Sequence, residues 1–126
     1  MSPANIESAL KSASPLIGQA CVIGDRRPYN TALVVLDQEY APAWAAQLGL
    51  DDVAPHQLAA SERVRAAVQD GVDRANASLS RVEQIKRFAI LPADWAPAGD
   101  ELTPTMKLKR KPIDRKYAEA IEAMYA

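Results

Sequence analysis

Two apolar runs separated by a short polar turn constrain this chain more than any other feature. Residues 16–23 include Leu16, Ile17, Cys21 and Ile23, and lie between Pro15 and the pair Gly24-Asp25. Residues 30–37 contain Ala32, Leu33, Val34, Val35 and Leu36 without a polar interruption. Runs of this length flanked by turn residues predict strands, and the second is too continuous to face water on either side. The link through Arg26, Arg27, Pro28 and Tyr29 is short enough for an antiparallel hairpin. Two strands are not stable alone, so helices must cover them.

The helical segments are legible from their caps and periodicity. Ser2 as N-cap and Pro3 at the first helical position open a helix with Ile6, Ala9, Leu10 and Ala13 on one face, ending before Pro15. A packed helix starting this early reads as the beginning of an excised fragment. Residues 41–60 are helical in pattern but broken by Pro42, Gly49 and Pro55, giving a short helix with Trp44 and Leu48 inward, then a loop. Ser61 and Glu62 start the strongest helix, whose stripe is Val64, Val68, Val72, Ala75 and Leu79. Gly71 in its middle costs about 1 kcal/mol against alanine, so packing must hold that helix. A short strand is expected over residues 88–91, ended by Pro92, followed by a proline-rich loop over 93–99. Residues 101–111 read as loop or weakly extended, and a last helix as 113–125, with Ile113, Tyr117, Ala120, Ile121 and Met124 on one side. The order αββααβα predicts an α+β fold: a small sandwich of a short antiparallel or mixed sheet covered by helices.

With 126 residues the chain has room for one core. A net charge of −1 argues against nucleic-acid binding, which a clear positive excess would accompany. Cys21, the sole cysteine, excludes an internal disulfide and reads as a buried, inert thiol. No apolar run approaches the roughly 20 residues of a membrane span, and no signal-peptide pattern is present, so a cytoplasmic protein is expected. His56 has no cysteine or second histidine to share a metal, and reads as a surface loop residue. Ser61 and Ser80 are explained by capping. The five glycines are scattered, so no phosphate-cradling loop is present and a nucleotide-using enzyme would need its phosphate site on another domain.

The unusual stretch is 102–116, where Lys107, Lys109, Arg110, Lys111, Arg115 and Lys116 crowd together. A solvated basic loop, a nucleic-acid patch and a functional lysine received by a partner surface all fit such a run. The stretch is similar to the C-terminal lysine motif of the adenylate-forming superfamily, leucine-threonine-proline-x-glycine-lysine followed by x-x-arginine-lysine. Leu102, Thr103 and Pro104 match its opening, Lys107 its lysine, and Arg110 and Lys111 its basic pair; Met106 stands where glycine is usual. The form resembles the long-chain fatty acid–CoA ligases, as do residues 2–7, 22–30 and 79–86, so the likeness covers the whole chain.

That resemblance implies the mobile C-terminal lid domain of such a ligase (residues 1–126), without its large N-terminal ATP- and acyl-binding domain and inactive alone. In the full-length enzyme ATP and Mg²⁺ would convert a fatty acid to acyl-adenylate, and coenzyme A would accept the acyl group. Lys107 would be catalytic, with Lys109 its nearest competitor. Arg110, Lys109, Arg26 and Arg27 would contact substrate, the last two the phosphates of coenzyme A; no metal ligand is assigned. The partners implied are the N-terminal domain, fatty acid, ATP and coenzyme A, with no nucleic acid, and peripheral membrane association is compatible with the family. Delivery to a carrier protein, or a non-catalytic module docking an acidic partner through 107–116, remain the alternatives.

Overall fold

A computed structural model describes residues 3–49 and 55–126, with the side chains of Pro55 and His56 excepted. The Ser2 cap therefore lies outside the described residues, as does the side chain of the surface histidine. Helix α1 (Pro3–Ala13) leads into β1 (Ile17–Ile23) and β2 (Asn30–Leu36). Then come α2 (Tyr40–Gln47), α3 (Pro55–Leu58), α4 (Glu62–Ser78), β3 (Ile85–Leu91), α5 (Arg110–Lys116) and α6 (Ala118–Tyr125).

The strands form one mixed sheet in the order β1-β2-β3. β1 and β2 pair antiparallel, with Cys21 opposite Leu33; β2 and β3 pair parallel, with Leu33 opposite Ala89. The central strand is buried along its length, as its unbroken apolar run requires. Its side chains alternate between two cores. Ala32, Val34 and Leu36 join Ile6, Leu10, Val64, Val68 and Val72 beneath α1 and α4. Leu33 and Val35 join Trp95, Leu102, Ile113, Ile121 and Met124 beneath α5 and α6. The result is the expected α+β sandwich, with helices on both faces.

Helix α4 begins as predicted, the Ser61 hydroxyl accepting the Val64 N–H (3.4 Å). Gly71 has its packing reason: a Cβ there would meet the Ser14 side chain at 2.6 Å, so the residue that follows α1 sits closer to α4 than alanine allows. Four expectations need correction. β3 starts three residues earlier than 88, because Lys86 and Arg87 lie exposed on an edge strand and hide the pattern. Leu48 is 43% exposed rather than inward, since α2 ends before it can turn it under; Trp44 is half-buried against the core. Pro55 opens a short helix rather than a loop. The last helix begins at Arg110, with Pro112 tolerated in its first turn, and divides at Tyr117. No helix among the described residues is long and apolar enough to cross a membrane.

Candidate functional site

The lysine motif is a hairpin. Leu102 and Leu108 form an antiparallel bridge, and the Lys109 N–H donates to the Glu101 carbonyl (2.8 Å). Above it the Thr103 N–H donates to the Lys107 carbonyl (2.8 Å), and the Met106 N–H returns to the Thr103 carbonyl (2.9 Å). Pro104 takes the second position of that turn, where its fixed φ fits. The Thr103 hydroxyl accepts the Lys107 N–H (3.0 Å) and lies 3.1 Å from the Thr105 hydroxyl. Thr103 thus grips Lys107 through both backbone and side chain, while fully buried Leu102 anchors the stem in the core under α5 and α6.

A three-residue loop of this kind closes with its third residue in the left-handed region. Met106 is that residue, at φ 68°. A side chain there costs about 1 kcal/mol relative to glycine. Glycine would take this conformation without that cost, and Met106 stands where the motif this stretch resembles has glycine.

Three of the neighbouring cations, Lys109, Arg110 and Lys116, are engaged, while the exposed Lys111 ammonium has no partner among the described residues. The Lys109 ammonium donates to the Gly99 carbonyl (2.8 Å). Arg110 makes a two-pronged ion pair with Glu7 (2.7 and 2.8 Å), whose carboxylate also accepts the Val22 N–H (2.8 Å). That pairing holds the guanidinium pKa above its ordinary value. Lys116 binds the buried carboxylate of Glu101 (2.7 Å), which also accepts the Tyr117 hydroxyl (2.8 Å); the Trp95 indole N–H donates to that hydroxyl (3.0 Å). The Glu101 bond raises the Lys116 pKa. The Lys107 ammonium, unlike those of Lys109 and Lys116, has no hydrogen bond or ion pair with any described residue and stands in solvent on the hairpin.

Arg26 and Arg27 sit apart from it, on the β1–β2 turn. Arg27 pairs with Glu122 and lies 4.7 Å from the Tyr125 ring centre. Arg26, at φ 59°, is exposed and engages no described residue. Both line a groove of about 660 Å³ with Cys21, Asp25, Arg110 and Asp114. Burial, then the Glu7 charge, push the Cys21 thiol up to about 12, against the opposing influence of Arg110. A thiol so raised is a poor nucleophile, in line with the inert role expected. No group of three or more His, Cys, Asp or Glu side chains comes together to hold a metal among the described residues.

Residues 1–126 match in full the family described as AMP-binding enzyme C-terminal domain. The chain belongs to that family. This AMP-binding C-terminal domain is 55% identical over 126 residues to a putative fatty-acid–CoA ligase of Mycobacterium tuberculosis, covering 100% of the chain and 22% of the relative. It is 40% identical to a long-chain-fatty-acid–CoA ligase of the same organism, covering 99% of the chain and 21% of the relative. The adenylation domain of a carboxylate reductase from Mycobacterium chelonae shares its fold, with a TM-score of 0.75 at 23% identity over 99% of the chain and 18% of that structure. The chain thus spans about a fifth of the length of the relatives it matches.

Three contributors to the domain's site were not singled out from sequence: Glu7, Glu101 and Tyr117. Glu101 directly precedes the motif, and a carboxylate at the foot of a cation-rich hairpin is the signal that would have found it. Glu7 lies 103 positions from Arg110, and nothing local announces that pair.

Proposed function

We propose that this domain is the mobile lid of a long-chain fatty acid–CoA ligase and delivers Lys107 to an active cleft built by a large preceding domain. The observation that carries the proposal is the Lys107 ammonium, engaged by no described residue, on a hairpin whose backbone is held by the Thr103, Met106 and Lys109 hydrogen bonds. The adjoining motif cations, Lys109 and Arg110, are occupied within the domain, which favours Lys107 over Lys109 as the reacting cation. In this proposal Lys109 and Arg110 hold the base of the hairpin. Any contact they make with substrate follows from that placement.

In the first half-reaction a fatty carboxylate oxygen attacks the α-phosphorus of ATP, forming acyl-adenylate and expelling pyrophosphate. Nucleophile and phosphate are both anions, and an ammonium set between them lowers their repulsion and stabilises the charge that develops. A lysine is suited to this as a compact charge on a long stem. Mg²⁺ would be held by the large domain and would neutralise the departing pyrophosphate. Rotation of the lid would then withdraw Lys107 and admit coenzyme A, whose thiol takes the acyl group and releases AMP. Arg26, exposed at the β1–β2 turn, is the better placed of the turn arginines for a coenzyme A phosphate, because Arg27 is engaged by Glu122.

The test uses the intact enzyme and separates the half-reactions. Lys107→Ala should lower acyl-adenylate formation by about 10²–10³-fold, the scale of one lost transition-state donor. Thioester formation from supplied acyl-adenylate should persist. Equal loss in both halves, or no loss in the first, rejects the assignment. The isolated domain should fold and form no thioester.

A further inference from the structure

The turn that carries Lys107 holds a residue its own geometry disfavours. The third position of such a loop suits glycine or asparagine, yet Met106 occupies it at φ 68° with 46% of its surface exposed. Two other non-glycine residues among those described have positive φ, Arg26 and Ala98. One ends in a charge and the other has only a methyl group, whereas Met106 holds a long apolar side chain in water. Neither apolar core includes it, and no hydrogen bond uses its side chain. A strained conformation kept at a residue the fold does not use points to a contact made outside the domain.

The neighbour tells what that contact is for. An ammonium acts on transition-state charge more strongly as water is cleared from around it. Met106 adjoins Lys107 on the same clamped tip, so wherever the ammonium goes the thioether side chain follows. We propose that Met106 is the water-excluding residue of the adenylation site, entering the cleft beside Lys107 and displacing solvent from the ammonium, the carboxylate and the α-phosphate. It makes and breaks no bond and acts through Lys107 as a positioning residue. The inference rests on the Lys107 proposal.

The experiment compares M106L, M106N and M106G in the intact enzyme. Asparagine and glycine are at ease in the left-handed region, so both keep the hairpin; leucine keeps the apolar bulk. Acyl-adenylate formation should stay near wild type in M106L and fall about tenfold in M106N and M106G. Thioester formation from supplied acyl-adenylate should be unchanged in all three. The residual adenylation of M106N should also drop more steeply with added salt than that of wild type, because a hydrated charge is screened. A purely conformational role gives the opposite ranking, with the two αL-compatible variants at or above wild type. Wild-type adenylation and salt response in M106N, or an M106L as slow as M106G, overturns the inference. Lys107→Ala run alongside separates the failures: normal adenylation there removes the lysine proposal, whereas its loss beside a normal M106N removes only the role of Met106.

Discussion

Two turns of this domain present cations, and they treat Arg27 and Lys107 in opposite ways. At the β1–β2 turn Arg27 is pinned by Glu122 and stacked over Tyr125. The Tyr125 hydroxyl in turn lies within hydrogen-bond distance of the Ile23 and Tyr29 carbonyls (3.1 and 2.8 Å). At the 103–107 turn the hydrogen bonds join backbone groups and the Thr103 and Thr105 hydroxyls, and the Lys107 ammonium engages no described residue. One turn uses its charge to fasten the C-terminal helix; the other is fastened so that its charge stays available. Local composition does not distinguish them, since both are basic and both contain a non-glycine residue at positive φ. What separates them is whether a carboxylate lies within reach.

The widest test of that contrast is catalytic. Beside the 10²–10³-fold loss expected for Lys107→Ala, Arg27→Ala in the intact enzyme should change acyl-adenylate formation less than about threefold, because a paired guanidinium has little left to give. A comparable loss from both would erase the distinction. Next in size is the footing of the 103–107 turn. Leu102→Ala should destabilise the domain by about 2–5 kcal/mol, as a buried leucine truncated in a core does, measured by denaturant unfolding. It should also slow adenylation more than thioester formation, by loosening the Lys107 hairpin alone.

An effect that depends on pH comes from the groove beside the β1–β2 turn. The Cys21 thiol is pushed up to about 12 in the folded domain, from an ordinary value of 9.0. Below pH 9 both states hold the proton. Above it the unfolded chain loses its proton first, so stability should fall between about pH 9 and 12 and level off beyond. Cys21→Ala should remove that part of the slope, read as the difference between the two unfolding curves at each pH. The smallest effect is expected for Glu122→Gln, which frees Arg27 at an exposed site and should barely move the melting temperature.

Some of this molecule is plain in its sequence. The continuous run from Ala32 to Leu36 requires a strand covered on both faces, and the Val64-Val68-Val72 stripe requires a helix. The run is buried throughout, as are Val64, Val68, Val72 and Ala75, while Leu79 caps the helix half-buried. The start of β3 is hidden because Ile85 is followed by two exposed cations, which look like the end of a loop and are the rim of a sheet. Leu48 looks inward by hydropathy alone, though its helix stops just before it. Lys107 is found through the resemblance of its motif, and the glycine-to-methionine departure is visible there too. That the departure falls on a left-handed residue needed the backbone. Glu7–Arg110 joins residues 103 positions apart that only the fold brings together, so no window of sequence could pair them.

The doubly buried β2 has one more outcome. Val34 belongs to the layer under α1 and α4, and its neighbours Leu33 and Val35 belong to the layer under α5 and α6. Lifting either layer of helices bares one side of a strand whose other side is still packed, leaving no half-assembled form with a sealed interior. Heating should therefore take the domain apart in a single heat-absorption peak, with calorimetric and van't Hoff enthalpies in agreement.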